Sequence, residues 1–119
     1  MGRRSRRRAR SDDAPPAATT DYEDDEGNVL TLRDEMSAGT LRQLGELDAR
    51  AAASAEDRWQ RRVEFLFERL AVRWEIAGLP LEGQKELLGR YRLAGSGERA
   101  AVREALARHL GAHHPEIEL

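Results

Sequence analysis

The stretch SAEDRWQRRVEFLFERLAVRWEIA, residues 54–77, dominates the predicted fold. Its large apolar side chains recur at spacings of three and four residues, which places them along one face of an α-helix. Ser54 is suited to accept from the free amides of the first turn, and Gly78 and Pro80 predict the end of the helix. The residues on this face are Trp59, Val63, Leu66, Phe67, Leu70 and Trp74.

This face has two interpretations. Both tryptophans and both phenylalanines of the chain lie in the stretch, and burying one such side chain contributes about 1.5 to 3 kcal/mol. A second apolar line, formed by Phe65, Val72 and Ile76, predicts that the helix is covered on two sides. The face is therefore either ordinary core or a groove that binds a helical protein partner or a second copy of the chain.

The flanking sequence predicts shorter elements. Residues 21–33 predict a β-hairpin, because turn-forming residues 25–28 precede the β-prone run 29–32. Leu41, Leu44 and Leu47 predict a short helix capped by Ser37 or Thr40, and residues 51–55 either separate it from the central helix or let the two merge. Two further helices follow. The first covers residues 81–94, and the second runs from Ser96, its expected cap, to Gly111. Their apolar residues are Leu81, Leu87, Leu88 and Tyr91, then Val102, Ala105, Leu106, His109 and Leu110.

These elements predict a mainly α fold, a small domain of about four helices with a short N-terminal hairpin. We expect residues 1–20 to be a disordered arm and residues 21–119 to form the domain. The chain has no cysteine, and its apolar runs are far shorter than the roughly 20 residues that span a bilayer. The basic N-terminus continues into acidic residues rather than an apolar segment, so we expect a cytoplasmic protein without a membrane partner.

The arm and the domain carry charges of opposite sign. Six arginines give the first ten residues a charge of +6, whereas the other 109 residues carry −8. Such an arm can neutralise nucleic-acid phosphates, although no aromatic side chain lies among the arginines to stack on bases. The alternative is a solubilising tail that the following acidic residues neutralise. The arginines are Arg3, Arg4, Arg6, Arg7, Arg8 and Arg10.

The sequence offers little catalytic chemistry. His109 and His113 are one helical turn apart and His114 follows, but a zinc site needs three or four ligands, and we identify no thiolate or placed carboxylate. We also expect Gly111 to end the helix between them. No phosphate-binding glycine loop and no nucleophile with a base at a readable spacing is recognisable. We therefore predict a non-enzyme without metal or cofactor.

The chain resembles the small tail assembly chaperones of long-tailed bacteriophages and prophages, and also small uncharacterised proteins of actinobacterial genomes. The resemblance spans Tyr22 to Leu110 and lies in the order of three segments: a hairpin with a leucine helix, a helix with a tryptophan near its end and a Gly-x-Pro-Leu turn, and a closing helix pair. These segments are DEGNVLTLRDEMSAGTLRQLGEL, RRVEFLFERLAVRWEIAGLPL and QKELLGRYRLAGSGERAAVREAL.

The resemblance implies a helper outside the virion that binds the long helical tape measure protein and keeps it soluble while the tail tube polymerises. It implies that Trp59, Phe67, Leu70 and Trp74 are groove or core positions. The arginine arm has no counterpart in this resemblance, which leaves open a small adaptor whose arm binds nucleic acid or an acidic protein.

Overall fold

The computed structural model describes residues 18–119, which form a mixed α/β fold. The predicted mainly α class is wrong, because four helices accompany a four-stranded sheet. The predictions for residues 1–17 lie outside the described residues, and the predicted domain boundary at residue 21 falls inside the first strand. In chain order the elements are β1 (Thr19–Glu23), β2 (Val29–Arg33), α1 (Ala38–Ala49), α2 (Ala55–Leu70), β3 (Ala71–Ile76), β4 (Leu79–Glu82), α3 (Gln84–Leu93) and α4 (Ser96–His113).

The sheet has the order β1-β2-β3-β4, and every neighbouring pair is antiparallel. The predicted β1–β2 hairpin is confirmed, but its second strand also pairs with β3. Leu30 lies opposite Tyr22 on one side and Trp74 on the other, and Leu32 lies opposite Ala71. Because alternate residues of a strand point to opposite faces, these side chains share the face that is buried in the core.

The central helix ends seven residues earlier than predicted. Ser54 caps it as expected, with its hydroxyl accepting from the amide of Asp57 at 3.0 Å. After Leu70 the chain becomes β3, so Trp74 lies on a strand and not on the helix. The register between β2 and β3 shifts beside Thr31 and Leu32, which leaves Val72 as an extra residue in a β-bulge. The bulge lets both Ala71 and Trp74 face the core.

The two residues after β3 explain why the chain folds back there. Ala77 and Gly78 both have positive φ, 53° and 80°, as a two-residue hairpin turn requires. Leu81 therefore belongs to β4, opposite Trp74, and not to the helix predicted after Pro80. That helix, α3, begins at Gln84, and Gly83 with φ 100° precedes it as the N-cap.

The first and last helices differ in how well the sequence predicted them. Of the two predicted caps, Ser37 caps α1, and residues 50–54 separate α1 from α2, so the two helices do not merge. α4 begins at Ser96 with Gly95 as N-cap, so the predicted Ser96 cap is wrong. α4 also continues through Gly111 to His113, because a glycine inside a helix costs only about 1 kcal/mol. His113 therefore stays on the same helix as His109.

One core joins the sheet to the helices. Phe67 of α2 occupies its centre, stacked on Tyr91 of α3 with ring centroids 5.1 Å apart and edge-on to Trp74 at 5.8 Å. Aromatic pairs at such separations add to the stabilisation that burial provides. The buried apolar residues are Leu30, Leu32, Leu44, Val63, Leu66, Phe67, Leu70, Ala71, Trp74, Leu87, Tyr91, Val102, Ala105, Leu106 and Leu110.

Candidate functional site

Five of the six residues predicted on the central face are core residues. Val63, Leu66, Phe67 and Leu70 are almost completely inaccessible to solvent, and Trp74 is 3% exposed. Of the six, only Trp59 is half-buried. The interpretation of this face as ordinary core is therefore the one that the fold supports, and a partner surface has to be sought elsewhere on the helices.

An apolar groove lies on the outer side of α2, where α1 and α3 flank it. Its floor consists of three half-buried side chains, one from each helix: Leu47, Phe65 and Leu88. We call these residues and the volume above them, about 400 Å³, the interhelical groove. It extends along α1 past Gln43 and Glu46. Phe65 belongs to the second apolar line of the sequence, which predicted a second covered side.

The rim of the interhelical groove carries charges of both signs. Arg92 of α3 donates to the Glu64 carboxylate of α2 at 2.7 Å, which closes one side. Outside the rim, the guanidinium of Arg69 lies 5.1 Å from the centroid of the Phe65 ring, a cation–π distance. The remaining rim side chains are Arg50, Arg61 and Glu68. An apolar floor between charged rims is the form of surface that receives an amphipathic helix.

A second apolar surface, between α1 and the start of α2, is lined by the C-terminal residues. Ile117 and Leu119 pack against the core and line the same pocket as Leu41 and Trp59. Arg62 of α2 donates to the Asp48 carboxylate and to the main-chain carbonyl oxygen of Glu118. The C-terminal residues therefore line part of an open pocket of about 590 Å³ beside Trp59, whereas the interhelical groove is lined only by residues of the three helices and by Arg50.

A polar cluster lies where the end of β2 meets the end of α4. Asp34 follows β2, and His109 and His113 lie one turn apart on α4; one ligand atom from each of the three lies within 4.8 Å of the others. The two histidines were recognised from their spacing. Asp34 was not, because 75 positions separate it from His109 in the sequence and only the fold brings them together. The expectation that no placed carboxylate accompanies the histidines is therefore wrong.

His109 is fully buried and bonded at both ring nitrogens. Its Nε2 lies 2.6 Å from the carbonyl oxygen of Arg33, which only accepts, so Nε2 carries the proton. The Tyr22 hydroxyl, 2.8 Å away, then donates to Nδ1. Burial is the main cause that lowers the pKa of His109, and the bond to Arg33 opposes it. The side chain is therefore a neutral imidazole in the folded protein near pH 7.

The arginines of the arm, Arg3 to Arg10, lie outside the described residues. Residues 18–119 contain 14 basic and 20 acidic residues, a net charge of −6 with neutral histidines. The net charge of this part of the chain is therefore opposite in sign to that of the arm. In the same part of the chain, no helix has the length and apolar composition needed to cross a membrane.

Comparison of the chain with protein-family models, with curated proteins and with solved structures gives no match.

Proposed function

We propose that this chain is a non-enzymatic assembly chaperone of a phage or prophage tail. In this proposal it acts in the cytoplasm of an actinobacterial host and keeps a long helical protein of the tape measure type soluble. The observation that carries the proposal is the interhelical groove, an apolar surface built from three helices and open to solvent. The resemblance in sequence order supplies the class of client.

The chemistry of the groove supports an amphipathic helix as its ligand. Leu47, Phe65 and Leu88 offer apolar contacts from three directions, which suits side chains that recur every three or four residues along a client helix. The rim offers arginines on both sides of the floor, with Glu64 and Glu68 between them. These charges can pair with the polar flanks of such a helix, so the groove favours a helix over an extended apolar peptide.

Because of the observed fold, the residues proposed to contact the client differ from those that the resemblance implied. Trp59, Phe67, Leu70 and Trp74 were the positions implied by the resemblance, and all except Trp59 are buried core. Substituting them would unfold the protein before it tested client binding. In the proposal, Leu47 and Phe65 take over the binding role, because they are apolar and accessible.

The experiment is a pull-down with the full chain from its own host after prophage induction, with nuclease treatment and identification by mass spectrometry. The variants are Leu47→Asp and Phe65→Ser, each checked by circular dichroism and thermal melting. The control is Leu93→Asp, because Leu93 is 85% exposed and lies outside the groove. Two groove variants are used so that, if one of them unfolds, the other still tests client binding.

We expect the wild-type chain and Leu93→Asp to recover the same long helical tail protein after nuclease treatment. The folded groove variants should recover roughly tenfold less of it, since interface hot spots contribute about 1.4 kcal/mol or more each. Equal recovery by folded groove variants would reject the groove. Absence of any tail protein from the wild-type pull-down would reject the chaperone function itself.

The alternative is an adaptor whose arm binds nucleic acid or an acidic protein. Its supporting observation is the +6 charge of the first ten residues. It predicts partners that disappear when residues 1–17 are deleted and whose binding weakens steeply with salt. The chaperone proposal predicts that this deletion leaves recovery of the client unchanged.

A further inference from the structure

The cluster of Asp34, His109 and His113, which we call the histidine cluster, has the composition of a zinc site. Zinc is bound by imidazole nitrogens and carboxylate oxygens, and three protein ligands with a water molecule in the fourth position are a common set. Two histidines one turn apart on a helix present their rings on the same side, as in helical zinc motifs. From this convergence we infer that the histidine cluster binds a zinc ion.

The distances within the cluster are close to those of a bound site. Ligand bonds of about 2.0 Å in a tetrahedron place ligand atoms about 3.3 Å apart. His113 Nε2 already lies 3.5 Å from Asp34 Oδ1, and the three ligand atoms all lie within 4.8 Å of one another. His113 is exposed and near the end of α4, so its side chain can close the remaining gap.

The surroundings supply the second layer of contacts that zinc ligands require. The Thr20 hydroxyl donates to Asp34 Oδ1 at 2.5 Å and so orients the carboxylate. Among residues 18–119, no arginine or lysine forms an ion pair with Asp34, so its carboxylate is not committed to another cation there.

To bind the ion, one ring nitrogen of His109 has to lose its present hydrogen bond and become a metal ligand. A neutral imidazole has one N–H and one lone pair, and zinc takes the lone pair. The N–H then serves either the carbonyl oxygen of Arg33 or the Tyr22 hydroxyl, which can accept as well as donate. A main-chain carbonyl is one of the groups that orient metal-bound histidines, so with the N–H on Nε2 the bond to Arg33 holds the ring and Nδ1 faces the ion.

The position of the site gives it a structural consequence. Asp34 follows β2, whereas both histidines belong to the last turns of α4. A bound ion therefore fastens the end of α4 to the sheet, and none of its three ligands lines the interhelical groove. This inference does not depend on the proposed chaperone function, and neither result decides the other.

The test is titration of the full, untagged, chelator-treated chain with Zn²⁺ in a calorimeter, and with Co²⁺ followed by visible absorption. The variants are His113→Ala, which truncates the exposed ligand, and Asp34→Asn, which keeps the shape of the side chain. The control is Asp25→Asn, because Asp25 is an exposed carboxylate in the turn after β1 and lies outside the cluster.

We expect one zinc ion per chain, a melting temperature that rises with zinc, and a cobalt spectrum of a site with nitrogen and oxygen ligands. His113→Ala and Asp34→Asn should each weaken binding by roughly tenfold or more, whereas Asp25→Asn should retain it. The inference is wrong if the wild-type chain binds no zinc. It is equally wrong if both cluster variants bind as tightly as the wild type, since the ion then lies elsewhere.

Discussion

Asn28 shows how one side chain can join two hairpins. It is 6% exposed, and its Oδ1 accepts from the amide of Ala77 at 3.0 Å, in the turn between β3 and β4. Its Nδ2 donates to Asp24 Oδ2 at 3.1 Å, in the turn between β1 and β2. Buried polar groups are expensive unless they are bonded, and Asn28 bonds on both sides. It therefore fixes the two turns at this end of the sheet relative to each other.

We expect Asn28→Ala to lower the free energy of unfolding by about 1 to 3 kcal/mol, because it leaves the Ala77 amide and an Asp24 oxygen without their partners. Urea denaturation followed by circular dichroism measures the change. The control is Glu26→Gln in the same turn, whose exposed side chain should change stability by less than about 0.5 kcal/mol. Equal midpoints for Asn28→Ala and the wild type would mean that the link contributes no net stability.

For single residues, the sequence predicted burial and local structure better than it predicted hydrogen-bond partners. His109 was expected on the apolar face of the last helix and is buried there. Residue 28 was expected in a turn, but its partner at residue 77 was not, and neither was the approach of Asp34 to His109. Helical and turn patterns report neighbours within a few positions, whereas these contacts depend on how the sheet and α4 are assembled.

The boundary between α2 and β3 is one of the places where the elements predicted from the sequence are wrong. Trp74 is four residues after Leu70, which fits a helix, but Val72, Trp74 and Ile76 also alternate with Arg73 and Glu75, which fits a strand. The period of so short a run does not separate the two possibilities. What separates them is β2, whose Leu30 and Leu32 need a partner on the side away from β1. The two-residue turn at positions 77 and 78 is further evidence that the preceding run is a strand of a hairpin.

Ala77→Asn tests the left-handed backbone of the turn between β3 and β4. Left-handed φ costs a β-carbon-bearing residue about 1 to 2 kcal/mol, and asparagine tolerates it better than alanine. We therefore expect Ala77→Asn to raise the free energy of unfolding by about 0.5 to 1 kcal/mol in urea denaturation. The change keeps the main-chain amide that donates to Asn28.

The matched control is Ala100→Asn on the exposed side of α4, where asparagine should lower stability by about 0.5 kcal/mol. Opposite signs for the two substitutions indicate a turn at residue 77. A loss of stability in both would mean that residue 77 gains nothing from a turn-forming side chain.

At the scale of the whole molecule, the last residues of the described chain hold α1 against α2. The apolar contact of α1 with the core rests on one buried side chain, Leu44. Ile117 and Leu119 add apolar contacts beside Trp59, and Arg62 bridges Asp48 of α1 and the main-chain oxygen of Glu118. The sequence predicted the Leu44 stripe, but it gave no periodic signal for residues 116–119.

Removal of residues 116–119 should therefore destabilise the protein as a whole. Ile117 and Leu119 are half-buried, and half of the usual burial contribution for two such side chains is about 1.5 to 3 kcal/mol. For a domain of about 100 residues this lowers Tm by roughly 5 to 15 °C, which differential scanning calorimetry detects. Because α1 also borders the interhelical groove, the truncated chain should lose client binding together with stability.

The control for this truncation is Glu118→Ala. Arg62 bonds to the main-chain oxygen of Glu118, and the side chain itself is exposed, so this substitution should change stability by less than about 0.5 kcal/mol. Ile117→Ala should then account for a large part of the loss seen on truncation. If Glu118→Ala is as damaging as truncation, the carboxylate and not the apolar packing holds the segment. If the truncated chain melts with the wild type, α1 is held by Leu44 and its neighbours alone.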